Sequence, residues 1–188
     1  MEQRFNQLIN RTEAQLDLDE ELGLNQTAQY LIFTLGGKKF ALDILSMQEI
    51  RRGNVITEVP NTPVHVAGVI NLRGLIVPVI DLRQLFEIKG ETLQKKPAVI
   101  VTKTIQNGAE KVVGLMVDAV TDVFKLSTAD IQELPDIGCE IDREFVTGVS
   151  RINESAVICL DADKCISSLR NRGQVVSPFF EVKGGAAA

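Results

Sequence analysis

The side chains that most often carry out catalysis are sparse in this sequence. His65 is the single histidine, and it lies in the segment Asn-Thr-Pro-Val-His-Val-Ala-Gly. A Ser–His or Cys–His pair would have to use it, and no nucleophile lies in a sharp-turn motif such as GxSxG. Asp81 and Asp161 each precede a predicted short helix, so capping of that helix is favoured over an acid–base pair. We therefore predict that the chain is not an enzyme.

The three cysteines do not form a recognisable metal site. Cys139, Cys159 and Cys165 include no CxxC pair and have no histidine at ligand spacing. Cys159 lies in an apolar run and Cys165 in a predicted helix, which is typical of buried, reduced thiols. The sequence also has no GxGxxG fingerprint, no P-loop and no EF-hand loop. We predict that the protein holds no metal and no cofactor.

One charged pair has a spacing that fits a binding surface. Arg73 lies in the stretch Gly-Val-Ile-Asn-Leu-Arg-Gly-Leu-Ile-Val-Pro-Val-Ile-Asp-Leu-Arg, where Asn71 and Gly74 suit a tight turn. Its side chain either points to water or pairs with Glu49, which lies upstream. An exposed ion pair adds only about 0–1 kcal/mol of stability, so the pair would matter more at a binding edge. The residue types alone leave both interpretations open.

Two β-hairpins are predicted to position these residues. Each consists of two apolar segments of strand length that flank a two-residue turn, and the two glycines of the first turn, Gly36 and Gly37, suit positive φ angles. Pro78 in the last strand indicates an edge strand or a bulge at that point. The predicted hairpins are Tyr30–Leu35 with Lys39–Leu42, and Gly68–Leu72 with Leu75–Ile80.

Further short strands follow, with few helices. Asp81 is predicted to cap a helix at Leu82–Phe86, a second helix is predicted from Asp161 to Leu169, and residues 3–24 read as an acidic amphipathic helix. Ser127 and Asp130 are predicted to begin a helix or turn, and residues 135–144 a loop. The other predicted strands are Ala98–Thr104, Val112–Val117, Val123–Leu126, Phe145–Ile152 and Ala156–Leu160. Many short strands separated by turns favour all-β barrels over a parallel α/β sheet.

Length and composition fit a soluble globular protein. The chain has 188 residues, of which 45% are hydrophobic and 24% are charged. No apolar run approaches the roughly 18 residues of a membrane span, and the first residues do not resemble a secretory signal. We therefore expect a cytoplasmic protein without direct membrane insertion.

The charge of the chain is concentrated at its N-terminus. Residues 1–28 contain six acidic and two basic side chains, a net charge of −4, whereas the other 160 residues hold 19 acidic and 18 basic ones, a net of −1. Nucleic-acid binding requires clusters of Lys and Arg that release counterions. The nearly neutral remainder of the chain has no excess of basic over acidic side chains. We predict that neither nucleic acid nor an anionic membrane surface is a partner.

The sequence also resembles itself. The segment Gly68–Asp81 aligns with Gly148–Asp161 at a constant offset of 80 residues, and each copy leads into a predicted helix. Upstream, Leu42–Ile50 aligns with Leu115–Val123 at an offset of 73, which places Glu49 opposite Asp122. We interpret this as a duplicated half-unit, and we expect two small β-barrels packed side by side with a cleft between them.

The run from Gln29 to about Leu169 resembles the CheW family of chemotaxis coupling proteins. The resemblance covers about three quarters of the chain in the right order, and the stretch that contains Arg73 is its most specific part. The other segments that carry it are Tyr-Leu-Ile-Phe-Thr-Leu-Gly (30–36), Phe-Ala-Leu-Asp-Ile-Leu-Ser-Met-Gln-Glu-Ile-Arg (40–51), Val-Val-Gly-Leu-Met-Val-Asp-Ala-Val-Thr-Asp-Val (112–123) and Phe-Val-Thr-Gly (145–148).

This resemblance implies both a fold and a function. The implied fold is a pair of five-stranded, SH3-like barrels. The implied function is that of a non-enzymatic adaptor between the helical cytoplasmic tip of methyl-accepting chemoreceptors and the regulatory domain of the histidine kinase CheA. The implied location is the cytoplasm, at membrane-bound receptor arrays reached through protein partners.

The resemblance also implies which residues contact the receptor. The tip is expected in the groove between the barrels, Glu49 and Arg73 occupy the positions of a charge pair that tunes coupling in the family, and the kinase is expected at the barrel ends. The residues predicted to form or support the groove are Met47, Glu49, Ile50, Gly68, Asn71, Leu72, Arg73, Val117 and Val120.

Parts of the chain lie outside the resemblance. We predict an acidic extension at 1–28, a coupling domain at 29–170 with halves at about 29–90 and 97–170, and a mostly flexible tail at 171–188. The extension either covers the groove, docks on its own barrel or has no role. A coupling domain of a CheV-type protein, a regulatory domain cut from CheA and a small-ligand-binding double barrel remain alternatives, although a stand-alone coupler fits the length best.

Overall fold

The computed structural model describes residues 27–53, 56–89, 97–106, 109–134 and 141–171. The predicted N-terminal helix, the first residues of the predicted loop and the tail lie outside these ranges. The described chain is mostly β, as predicted, with few short helices. The strands are β1 (Thr27–Leu35), β2 (Lys38–Asp43), β3 (Met47–Arg52), β4 (Val66–Leu72), β5 (Leu75–Asp81), β6 (Ala98–Gln106), β7 (Ala109–Val117), β8 (Ala119–Ser127), β9 (Val146–Ile152) and β10 (Ser155–Leu160).

In the part of the chain that the structure describes, five short helical segments connect or follow these strands. The α-helices are α1 (Leu82–Leu85) and α2 (Ala162–Asn171), and the 3-10 helices are η1 (Ile44–Ser46), η2 (Thr128–Asp130) and η3 (Arg143–Phe145). Ser127 accepts a hydrogen bond from the backbone N–H of Ala129, so the start predicted at Ser127 is confirmed. In the described residues, no helix is long and apolar enough to cross a membrane.

Three two-residue turns shape the hairpins. Gly36–Gly37 joins β1 to β2, Arg73–Gly74 joins β4 to β5, and Asn153–Glu154 joins β9 to β10. All six residues have positive φ, between 45° and 92°. Positive φ at both central positions is the feature of type I′ turns, whose twist matches that of the flanking strands. Both predicted hairpins are therefore confirmed.

The prediction that Pro78 marks an edge strand is wrong, because β5 lies between β4 and β7. The parallel ladder of β5 with β7 involves only Val79–Asp81, so Pro78 pairs with Val69 of β4 and has no partner in β7. Its missing N–H therefore interrupts no ladder with β7. The irregularity expected at this point lies in the partner strand, between Val66 and Gly68.

The ten strands form two five-stranded sheets with equivalent connections. The first sheet has the order β8-β1-β2-β10-β9 and the second β3-β6-β7-β5-β4. Each contains one parallel pair, β2 with β10 and β5 with β7. The strands in equivalent positions of the two sheets are β4 and β9, β5 and β10, β2 and β7, and β3 and β8. These strand pairs match both alignments within the sequence. The two halves of the repeat thus contribute strands to both sheets.

Each sheet is closed by a pair of backbone hydrogen bonds between its two ends. In the second sheet, Thr57 lies beyond β3 and exchanges two hydrogen bonds of 2.9 Å with Val69 of β4. In the first sheet, Gln132 lies beyond β8 and exchanges bonds of 2.9 and 2.8 Å with Val149 of β9. Val69 and Val149 are related by the same offset of 80 residues. These two closures, called seams below, turn the sheets into the two expected barrels.

The hydrophobic core that the described residues form has three parts. The largest, called the central cluster below, combines side chains of both sheets with those of α1 and α2; among its members are Leu31, Phe33, Phe40, Ile80, Leu82, Ala98, Ile100, Leu115, Val117, Phe145 and Ile166. A smaller core lies within each barrel, and these contain Ile32 and Val157 in the first and Val77 and Val101 in the second. The central cluster thus fixes how the two barrels pack against each other.

The predicted cysteine and aspartate environments are present in the described residues. Cys159 and Cys165 are buried free thiols, and burial raises the pKa of Cys159 to about 11. Asp81 Oδ1 accepts hydrogen bonds from the backbone N–H groups of Arg83, at 2.8 Å, and Gln84, at 3.3 Å. Asp161 Oδ1 accepts one from Lys164, at 3.0 Å. Both aspartates therefore cap helices.

Asp81→Asn is expected to stabilise the protein near neutral pH. Burial raises the pKa of Asp81 above its usual 3.8 despite its hydrogen bonds, so the ionised carboxylate is disfavoured in the folded state. The resulting loss of stability is absent at pH values below the pKa of Asp81 in the unfolded chain. It is complete at pH values above the pKa of Asp81 in the folded protein. Asn caps helices as well as Asp. Urea unfolding between pH 3 and 7 should show the advantage of the variant growing as pH rises, and a shrinking advantage would contradict the assignment.

Candidate protein-interaction groove

The space between the barrels is bordered by two edge strands, β3 of the second sheet and β8 of the first. Arg52 near the end of β3 donates a 3.4 Å hydrogen bond from Nη2 to the carbonyl oxygen of Val120 in β8. Met47 and Val120 are half-buried and pack against the central cluster. The central cluster is therefore the floor of a groove whose two sides are β3 and β8.

Strand pairing shows which side chains face this groove. Ile50 lies opposite Ile100 and Val123 lies opposite Leu31, in antiparallel pairs. Opposite residues of an antiparallel pair project to the same face, and both partners belong to the central cluster. Ile50 is 37% exposed and Val123 43%. Ile50 and Val123 are therefore apolar side chains on the two sides of the groove.

The charged side chains that share this face are basic. Arg52 lies two residues beyond Ile50, and Lys125 lies two residues beyond Val123, so each projects to the same side of its strand. The set that consists of Met47, Ile50 and Arg52 of β3 with Val120, Val123 and Lys125 of β8 is called the groove face below.

The acidic residues of the same strands project the other way. Glu49 lies opposite Val101 and Asp122 lies opposite Ile32, and both of these partners belong to the barrel interiors. The groove face is thus apolar along its middle and positively charged at Arg52 and Lys125. This arrangement suits an elongated apolar partner that carries negative charge.

A charge cluster lies beside the groove, at the end of the second barrel. Arg73 Nη2 donates a 3.1 Å hydrogen bond to Glu49 Oε2, so the predicted contact is present. Arg51 Nε lies 2.9 Å from the other oxygen of Glu49 as an ion pair without hydrogen-bond alignment. The Glu49 side chain is 23% exposed, whereas that of Arg73 is 83% exposed. The pair links β3 to the β4–β5 turn, which belong to opposite ends of the sheet.

The backbone at Arg73 adds a reason to assign this side chain a binding role. Arg73 has a φ of 53°, a left-handed conformation that disfavours most residues other than Gly and Asn. The equivalent position in the first barrel is Asn153, which suits that conformation. Arginine is disfavoured in this conformation, and its ion pair adds little stability because the Arg73 side chain is mostly exposed. Such a departure from local preference is typical of functional positions.

The remaining predicted site residues divide by exposure. Asn71 is exposed, and its Oδ1 accepts a 2.7 Å hydrogen bond from Gly74 N, so it holds the turn that carries Arg73. Gly68, Leu72 and Val117 are buried. Leu72 belongs to the second barrel core and Val117 to the central cluster. These three side chains or positions therefore lie in the interior of the protein and not on its surface.

Three groove-face residues were not predicted from the sequence, namely Arg52, Val123 and Lys125. The internal alignment pairs Ile50 with Val123, and this was the signal that could have identified Val123. The directions of Arg52 and Lys125 had no such signal. A register shift between Met47 and Glu49, and another between Val120 and Asp122, change which side chains project into the groove.

Comparison with known proteins places the chain among chemotaxis proteins. The family model described as the CheW-like domain matches residues 29–170. The chemotaxis protein CheW of Klebsiella aerogenes is 40% identical over 140 residues, which are 74% of this chain and 82% of that protein. The CheW of Rhizobium meliloti is 36% identical over 136 residues, covering 72% and 84%. The crystal structure of the scaffolding protein TtCheW from Thermoanaerobacter tengcongensis is 31% identical and superimposes with a TM-score of 0.66, covering 74% of this chain and 88% of that one.

Proposed function

This chain belongs to the CheW family, and on that premise we propose that its groove face binds the helical cytoplasmic tip of a chemoreceptor while the protein couples that receptor to CheA. The protein is a chemotaxis scaffold and not an enzyme. The observation that supports the groove is its face, which is apolar along the middle with Arg52 and Lys125 as its charged groups.

The side chains of the groove face suit an amphipathic helix. A helix presents apolar side chains at spacings of three and four residues, and such a stripe would pack along the groove between Ile50 and Val123. Acidic side chains beside the stripe would lie within reach of Arg52 and Lys125. A contact of this kind buries about 800 Å² per partner or less, so its modest affinity would be strengthened by repetition in an array.

The kinase is proposed to bind at a different surface. In the family the regulatory domain of CheA shares this fold, and the proposal places it at the barrel ends, so that receptor and kinase bind at the same time. The protein would then act in the cytoplasm, at membrane-bound receptor arrays, through protein partners.

The proposal is tested by sedimentation with receptor-bearing membranes. Purified protein is mixed with these membranes, with and without CheA, and CheA autophosphorylation is measured alongside. The protein is expected to sediment with the receptors, and CheA activity should rise only when all three components are present. Activation of CheA by receptors alone, or absence of the protein from the pellet, would contradict the proposal.

Charged substitutions in the groove should weaken receptor binding without unfolding the protein. Ile50→Lys and Val123→Lys each place a positive charge where an apolar helix stripe is proposed, and both positions are more than one-third exposed. We expect a loss of receptor affinity of about fivefold or more. Ile105→Lys is the matched control, because Ile105 is 73% exposed on β6, beyond the last residue that pairs with β3. Equal effects of all three substitutions would contradict the groove assignment.

Charge reversal at Arg73 is expected to affect coupling more than stability. Arg73→Glu places two negative charges together beside the groove, and CheA activation in the sedimentation mixture should fall about fivefold or more. The melting temperature should change by only a few degrees, because an exposed pair adds about 0–1 kcal/mol.

Two further variants separate the ion pair from the turn. Adding Glu49→Arg to Arg73→Glu should restore part of the activation, since it recreates the pair in reverse. Asn153→Glu makes a similar change in the equivalent turn of the first barrel, and it should leave activation intact. A large loss of stability in Arg73→Glu would show instead that the pair is structural.

A further inference from the structure

The groove face has a second ligand of suitable chemistry within the same chain. Residues 1–26 contain six acidic and two basic side chains, a net charge of −4, together with apolar residues such as Phe5, Leu8 and Ile9. The predicted helix that would bring these apolar residues onto one face lies outside the described residues. An acidic, partly apolar segment is the same kind of ligand that the groove face selects from a receptor.

The point at which this segment joins the described chain lies next to the groove. Its last residue precedes Thr27, the first residue of β1, and Thr27 pairs with Ser127 at the end of β8. β8 is the edge strand that carries Val123 and Lys125, with β1 as its single sheet neighbour in the described residues. The segment therefore leaves the fold beside one side of the groove.

The length of the segment is sufficient to span the groove. Val120 lies seven residue steps before Ser127 in β8, which is about 24 Å at 3.4 Å per step. Twenty-six residues extend about 39 Å even in the most compact regular form, an α-helix. The segment is thus long enough to extend along β8 past Lys125, Val123 and Val120.

From these observations we propose that residues 1–26 bind the groove face of their own chain and compete there with the chemoreceptor. Arg52 and Lys125 attract the acidic side chains, while Ile50 and Val123 contact the apolar ones. The binding is intramolecular, so the local concentration of the segment is high and weak contacts suffice. The competition, but not the internal binding, rests on the proposed function.

Internal binding is tested by methyl NMR on the full chain. The Ile50 and Val123 methyl signals are compared between the wild type and a variant with Glu13→Lys, Asp17→Lys and Glu20→Lys. The signals of the two proteins should differ at low salt and converge as sodium chloride screens the attraction. A matched control with Arg4→Glu and Arg11→Glu should behave like the wild type. Identical Ile50 and Val123 signals in wild type and charge-reversed protein at low salt would overturn the proposal.

Competition is tested by titrating the same proteins with a receptor-tip fragment. If the segment occupies the groove about 90% of the time, the charge-reversed variant should bind the fragment about tenfold more tightly than the wild type. If the methyl signals differ but neither protein binds the receptor fragment, the internal binding is supported and the proposed function is contradicted. Equal receptor affinity of the two proteins, with no methyl differences, would overturn the internal binding and leave the proposed function intact.

Discussion

Gly68→Ala is expected to destabilise the protein by about 3 kcal/mol or more. A Cβ atom at Gly68 would lie 2.3 Å from the carbonyl oxygen of Thr57, a distance that real Cβ atoms do not reach. Gly68 also has a φ of 139°, which only glycine adopts without strain. Thr57 is held against Val69 by the two hydrogen bonds that close the second barrel. The substitution must therefore either distort this seam or break it.

The melting temperature of the variant should fall by about 10 °C, since 1 kcal/mol corresponds to about 3 °C for a protein of this size. Gly37→Ala is the control, because Gly37 also has a positive φ, 78°, but a Cβ there would meet nothing within 4 Å. It should lose only the backbone term, about 1–2 kcal/mol. Equal losses in both variants would show that contact with Thr57 is unimportant.

The seam of the first barrel predicts a second sensitive glycine. Gly148 lies 80 residues after Gly68, and a Cβ there would lie 2.6 Å from the carbonyl oxygen of Gln132, the residue that closes the first barrel. The duplication seen in the sequence is thus present in the contacts of the structure. Each copy keeps a glycine where the ends of the sheet approach most closely.

The features predicted correctly from the sequence are those that depend on neighbouring residues. The Gly36–Gly37 turn depends on the φ preference of its glycines, and the Asp81 cap depends on backbone groups two and three residues away. The contact of Glu49 with Arg73 spans 24 residues, and it was open from residue types alone. The family resemblance, and not periodicity, favoured it.

The features that the sequence did not predict depend on distant pairing. Each half of the repeat contributes strands to both sheets. The residues of an apolar strand do not indicate which sheet the strand will join. The sequence indicates an edge strand or a bulge at Pro78, because it shows the strand that contains Pro78 but not the short ladder of that strand with β7. The buried contact of Arg83 with Asp118, which are 35 residues apart, also had no local signal.

This buried contact is the basis of the last prediction, in which Asp118→Ala destabilises the protein by about 3–5 kcal/mol. The Asp118 carboxylate accepts a 2.6 Å hydrogen bond from Arg83 Nε and a second one from Arg83 Nη2, and it also accepts one of 2.8 Å from the backbone N–H of Gly36. The two side chains are only 13% and 15% exposed. Asp118 thus joins the β1–β2 turn of one sheet to the helix α1 that follows the other.

Removal of one partner leaves the other charge buried, and this uncompensated charge causes most of the expected loss. Joint replacement, Arg83→Met with Asp118→Leu, should therefore recover much of the stability lost in Asp118→Ala, as measured by urea unfolding. Glu110→Gln is the control for a surface pair, since Lys103 and Glu110 are 43% and 52% exposed, and it should change stability by no more than about 1 kcal/mol. If the double variant loses as much free energy of unfolding as its two single variants together, Asp118 contributes mainly through the hydrogen bond to Gly36 and not through the buried charge. In that case Asp118→Asn, which retains an acceptor oxygen for Gly36, should be nearly as stable as the wild type.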